Sequence, residues 1–224
     1  MTLARAASVI LAKELRTEFR SRELLGTTAV FVLIVMVLFS FTFNPTSSES
    51  RRFGPGLLWL GFLFAGSLML QSSFLREQTN DTLAALRLAP IDPFSILAGK
   101  MAANFLFLLF VEVILLPVFA VLYNVAIFPV LGQLLLVLTL GTIGLAATGT
   151  VFSAVAAQAR LRELLLPLLL LPVLAPVLIA STEATIGVLG QPSELSLVWL
   201  TFLACFDVVF LTAAWMVGEY LLEE

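Results

Sequence analysis

Six stretches of nearly unbroken apolar residues follow one another along this chain, at about 24–43, 57–75, 101–123, 131–156, 164–181 and 196–219. A run of about twenty such residues spans a bilayer as a helix, because lipid offers the backbone no hydrogen-bond partner. The composition agrees: 60% of the 224 residues are hydrophobic and 12% are charged, far outside the range of a soluble domain. The expected fold is all-α and integral to the membrane. It has six transmembrane helices in one domain over 1–224.

Residues 3–22 read as an amphipathic interfacial helix. Leu3, Ala7, Ile10, Leu11, Leu15 and Phe19 recur at spacings of three and four, and Arg5, Lys13, Glu14, Arg16, Glu18, Arg20 and Arg22 cover the rest. Such a helix suits the membrane surface, with its bases among the headgroups; a solvated helix leading into the first span is the plainer alternative. The stretch is too charged for the apolar core of a signal peptide.

Orientation follows from the bases. Ten of the twelve Lys and Arg residues fall in the N-terminal segment, in 76–100 (Arg76, Arg87, Lys100) and in the 157–163 loop (Arg160, Arg162); only Arg51 and Arg52 fall on the other side. This excess places both termini in the cytoplasm. Trp199, Trp215 and Tyr220 near the ends of the last span suit the aromatic belts.

Chemistry-bearing residues are few. The chain has no histidine and one cysteine, Cys205, so it lacks the commonest general base and metal ligand and forms no internal disulfide. No Walker A motif is present. Met36, Met69, Met101 and Met216 read as packing residues. The chain is therefore expected to be non-catalytic, with no bound cofactor and no metal. Glu112 and Asp207 lie inside the third and sixth spans. An ionised carboxylate there costs at least about 2.5–3.5 kcal/mol, so each must be neutral, paired or facing a polar cavity. A coupling network and a purely structural hydrogen bond are the two readings. Gly61 and Gly66, and Gly141, Gly144 and Gly149 with Ser153 and Ala157, are small residues that let helices approach closely in lipid. Pro167, Pro172 and Pro176 predict a kinked or broken fifth span. Glu183, Ile186, Val188, Leu189, Gln191, Pro192 and Glu194 fall in an outer segment, 182–195, read as a solvated connector or a re-entrant helix.

The polar insert "REQTNDTLAALRLAPIDPFSILAGK" at 76–100 stands apart. Asn80 or Asp81 can cap a short helix through Thr82–Leu88, with Leu83 and Leu86 on one face and Pro90 and Pro93 ending it. Two turns are marginal in water, so the helix needs a surface to dock on: the chain's own or a partner's.

An N-terminal surface helix, six spans and a 2–3 loop of this kind resemble the type-2 ABC exporter permeases. Glu77, Thr82-Leu83, Leu88-Ala89-Pro90 and Lys100 follow that superfamily's loop pattern, with Asp81 where glycine is usual and Ala84 where glutamate is usual. Within it, "ILAKELRTEFRSRE" (10–23), "GLLWLGFLFAGSLMLQSSFLRE" (56–77), "LRLAPIDPFSILAGKM" (86–101) and "LLLPLLLLPVLAPVLIA" (164–180) most resemble the heme exporter B permeases of cytochrome c maturation. The resemblance implies an inner-membrane homodimer bound to two cytoplasmic ATPase subunits. It also implies a heme-handling membrane subunit, a small single-span subunit and a periplasmic heme chaperone as partners, with ATP and heme held by those partners. Glu77, Asp81, Leu83, Leu86, Arg87 and Pro90 would then form the contact with the ATPase, and ATP would serve to release the heme-loaded chaperone. Export of a lipid, glycan or drug is the alternative within the superfamily, and a membrane scaffold without an ATPase is the alternative outside it.

Overall fold

The computed structural model describes residues 2–21, 23–42, 48–79, 92–157, 162–190 and 192–223. Among these there is no strand. Seven long helices follow in order: α1 (Leu3–Ser21), α2 (Glu23–Thr42), α3 (Ser48–Thr79), α4 (Pro93–Leu122), α5 (Leu131–Ala157), α6 (Arg162–Leu189) and α7 (Leu197–Glu223), with one 3₁₀ turn at Phe128–Val130 before α5. Five stretches are long and apolar enough to cross a membrane: Arg52–Gln71, Pro93–Leu122, Phe128–Ala156, Leu168–Leu189 and Leu197–Gly218. Leu3–Arg20 and Leu25–Phe41 pass the same test only as a pair, bent by 69°. The chain is thus an all-helical protein with five to six candidate spans.

Local chemistry sets the helix ends. Asp92 caps α4: its carboxylate accepts the Phe94 amide at 2.9 Å, with Pro93 in the first helical position. At the far end the Tyr123 amide bonds to the Phe119 carbonyl, and Asn124, at φ 50°, turns the chain out of the helix. Asparagine tolerates this left-handed conformation better than most residues. Beyond α6 the Glu194 amide returns to the Gly187 carbonyl at 2.9 Å. A Cβ on Gly187 would stand 2.6 Å from the Glu194 carbonyl oxygen, so only glycine permits this fold-back.

Helix α5 is the centre of the bundle, packed against α3, α4, α6 and α7. Its first turns bury Leu134, Val137 and Leu138, and from Gly141 on its buried residues are, apart from Leu145, small or hydroxylic, among them Gly141, Thr142, Gly144, Ala146, Ala147, Thr148, Gly149, Thr150, Ser153 and Ala154. With little apolar driving force between helices in lipid, close approach and interhelical hydrogen bonds hold such a bundle. Asn104 of α4 donates to Thr150 at 2.9 Å, and Ser153 donates to the Leu70 carbonyl of α3 at 2.6 Å. Trp59 of α3 donates to Thr185 of α6, also at 2.9 Å. Helix α7 lies at the edge, with 17% of its span buried.

Three expectations need correction. The third span begins at Pro93 rather than at 101, so the last eight residues of the polar insert 76–100 are helical, and Lys100 among them is buried. At 30 residues α4 is about 45 Å long, more than the hydrocarbon core requires. The fifth span continues past 181 to Leu189, so most of the outer 182–195 segment is helix. Its three prolines do not break it: a proline removes one backbone bond, and the bonds on either side keep the helix continuous. Finally, Glu14 and Glu18 of α1 are buried, whereas Leu3 and Phe19 are exposed.

Candidate functional site

Of the predicted ATPase-coupling residues, Glu77 falls in the last turn of α3. Asp81, Leu83, Leu86, Arg87 and Pro90, and with them the expected short helix, lie outside the described residues. What the structure describes is the footing on which that segment stands: the end of α3, and the start of α4 clamped by α1.

The clamp is close and charged. A Cβ on Gly99 would meet the Ala7 carbonyl oxygen and the Ile10 Cβ, each at 2.8 Å, so the two helices touch backbone to side chain there. Ile10 packs in one cluster with Ile96, Leu97 and Met101 of α4. One residue beyond Gly99, the fully buried Lys100 places Nζ 2.9 Å from Glu14 Oε1, and Lys13 adds a second contact to the same oxygen at 3.2 Å. Burial pushes the Glu14 carboxyl up, but the Lys100 and Lys13 ammonium groups outweigh it and hold it below its ordinary value. Four residues on, Glu18 Oε1 accepts the Leu25 amide at 2.9 Å. It thereby occupies one of the unpaired donors at the start of α2, where the helix dipole favours negative charge. Phe19 then meets Phe110 edge-on, ring centroids 6.4 Å apart. From Gly99 to Phe110, therefore, α1 runs along the first half of α4 in the same direction.

Glu14, Glu18 and Lys100 were not expected at a buried junction. The available signal was the four-residue spacing of Ala6, Ile10, Glu14 and Glu18, all of which are buried. An apolar-face reading passes over it because half of that row is acidic.

The two intramembrane acids are both buried, and they are not neighbours of each other. Glu112 of α4 accepts a hydrogen bond from the Thr142 hydroxyl of α5; its second oxygen has no partner among the described residues. Asp207 of α7 fits against Gly144, where a Cβ would stand 2.9 Å from Oδ1, and neither carboxyl oxygen has a hydrogen-bond partner among the described residues. Residues two apart face opposite sides of a helix. The acids therefore flank α5 at one depth, with the helix between them. Among the described residues no group of three or more His, Cys, Asp or Glu side chains is placed to hold a metal ion.

The Thr142 contact makes a prediction. Glu112→Gln preserves an acceptor oxygen, so thermal unfolding in detergent should stay within about 1 kcal/mol of wild type. Glu112→Leu orphans the buried hydroxyl and should cost about 1–3 kcal/mol. Equal damage by both would mean that the acid itself, not the hydrogen bond, is required.

Comparison with known proteins sets this geometry in a family. The profile described as CcmB protein matches residues 5–217. The chain belongs to the CcmB family. It is similar to Heme exporter protein B of Pseudomonas aeruginosa, at 34% identity over 197 residues and 88% of each chain. It is similar also to Heme exporter protein B of Rhodobacter capsulatus (33% over 174 residues, 78% of this chain and 79% of the relative) and of Paracoccus denitrificans (32% over 192 residues, 85% and 88%). The CcmB match includes the whole α1–α4 junction and both intramembrane acids.

Proposed function

We propose that this CcmB-family chain is the membrane permease subunit of an ABC complex serving c-type cytochrome biogenesis, with heme as the cargo of the complex. The observation that carries this reading is the family match over 5–217, supported by relatives named Heme exporter protein B at 32–34% identity over most of their length. The five to six candidate spans support a membrane-embedded role. The finer reading is six spans in the bacterial inner membrane with cytoplasmic termini, because ten of the twelve bases fall on one side. Helix α1 then lies at the cytoplasmic surface, and the segment 81–88 docks on a separate ATPase subunit of a homodimeric complex. A heme-handling membrane subunit, a small single-span subunit and a periplasmic chaperone complete the set. This chain performs no chemistry and binds no cofactor.

The mechanism is mechanical. Closure of the ATPase dimer on ATP pushes the segment between α3 and α4. Helix α4 starts at Pro93, directly after it, and is tied to α1 through Gly99 and the Lys100–Glu14 pair. The displacement therefore moves α1 and α4 as one piece and shifts α2, α3 and α6 against their dimer mates. ATP energy would in this way free a heme-loaded chaperone.

Deleting the gene should abolish covalent heme in c-type cytochromes and leave b-type heme unchanged. The wild-type gene should restore the signal. The Leu83→Glu/Leu86→Glu form, at normal membrane level, should leave it near background. Unchanged c-type cytochromes in cells without a second copy would overturn the heme assignment. Full restoration by the double variant would overturn the docking role.

A further inference from the structure

Helix α1 sorts its charges. Its two described acids turn inward, Glu14 to Lys100 and Glu18 to the start of α2, and both are buried. The bases Arg5, Lys13, Arg16 and Arg20 are all exposed. At 100° per residue they fall within an arc of about 80°, on a face that carries no acid. Lys13 leans back to Glu14, whereas Arg5, Arg16 and Arg20 have no ion-pair partner among the described residues. Val9, 56% exposed, sits in the middle of this arc, and Phe19 and Ala12 are exposed along its edge.

We propose that this cationic face of α1 binds anionic phospholipid headgroups of the leaflet in which the helix lies, and that the protein is thereby enriched in anionic lipid along the outer face of α1, away from its junction with α4. The proposal rests on the reading of α1 as a surface helix. Bases interleaved with exposed Val9 and Phe19 match a lipid surface, which presents phosphate and acyl chain side by side. An acidic protein surface would complement the bases but leave the apolar side chains without a partner. The inward acids matter to the chemistry: left on the outer face they would cancel half of the stripe, and each base near an anionic surface strengthens binding about fivefold at low salt.

The test uses the full chain carrying Cys205→Ser and Ala12→Cys, labelled at the introduced thiol with a fluorophore. It is reconstituted in phosphatidylcholine vesicles containing a small fixed fraction of brominated phosphatidylglycerol or brominated phosphatidylcholine. Quenching by the anionic lipid should exceed that by the zwitterionic lipid about fivefold and weaken as salt is raised. Arg5→Gln/Arg16→Gln/Arg20→Gln should bring the two lipids to parity, and Arg5→Lys/Arg16→Lys/Arg20→Lys should keep the preference. The lysine form controls for folding. Equal quenching in the wild type would overturn the proposal, as would a preference that survives the glutamine form. So would a label indifferent to lipid charge and shielded only on adding the soluble ATPase subunit, because that result assigns the face to a protein. No heme or ATP enters the measurement, so failure of the cytochrome assignment leaves its outcome unchanged, and the reverse holds too.

Discussion

Lys100→Met should lower the stability of the folded protein by about 3 kcal/mol, the low end of the range for breaking a buried ion pair by removing one partner. The lysine is fully buried and its Nζ lies 2.9 Å from Glu14 Oε1. Methionine fills much of the same volume, so the loss is electrostatic: Glu14 is left in a buried site with Lys13, at 3.2 Å, as the base beside it. Removing both charges should be milder than removing one. Glu14→Leu/Lys100→Met is expected to unfold at a temperature between those of Lys100→Met and wild type, giving a coupling energy in a double-mutant cycle. The pH dependence carries an independent sign. Glu14 is held below its ordinary value of 4.5 in the folded protein. Its contribution is present in full above that value and is lost as pH falls through the lower, folded-state value. The stability gap between wild type and Lys100→Met should therefore narrow on acidification below about 4.5. A gap independent of pH, or a double variant no better than Lys100→Met, would show that packing rather than charge holds α1 to α4.

The same junction shows what the sequence disclosed and what it did not. Each apolar run fell on a helix, because lipid imposes one requirement, length without unpaired backbone, and length is read directly from residue order. Helix ends obey local chemistry instead. The cap of Asp92 on Phe94 moved the start of α4 from 101 to Pro93, and the Gly187–Glu194 fold-back allowed α6 to run on to Leu189. Lys100 was counted with the bases of the polar insert because residue type speaks for a side chain in isolation, and its partner lies 86 residues away. Glu14 and Glu18 were assigned to the polar face of α1 for the same reason. The intramembrane acids were visible as oddities, yet nothing in residue order says that α5 stands between them. The coupling residues beyond Glu77 lie outside the described residues, so their reading rests on pattern and resemblance alone.

Gly141→Ala should destabilise the bundle by about 3 kcal/mol or more, while Gly132→Ala, in the same helix, should be neutral or stabilising by up to about 1 kcal/mol. Composition treats the two glycines alike; their neighbours do not. A Cβ on Gly132 meets nothing within 4 Å, but one on Gly141 would stand 2.2 Å from Trp59 Cη2 and 2.6 Å from Ser181 Oγ. The Trp59 ring is fully buried and tied through Nε1 to Thr185 Oγ1 at 2.9 Å. Its edge can retreat from α5 only by giving up that bond, which adds about 0.5–1.5 kcal/mol to the overpacking. Trp59→Phe should rescue Gly141→Ala in part, because phenylalanine lacks the outer ring atoms that Cβ would strike, although alone it sacrifices the Thr185 bond and leaves a void. The check is thermal unfolding in detergent for the two glycine variants, Trp59→Phe and the Trp59→Phe/Gly141→Ala pair. Rescue would establish that a contact between α3 and α5, apart from the charged pair of the α1–α4 clamp, sets how closely the bundle closes. Independent, additive losses would instead place the effect of Gly141 in the α5–α6 contact with Ser181.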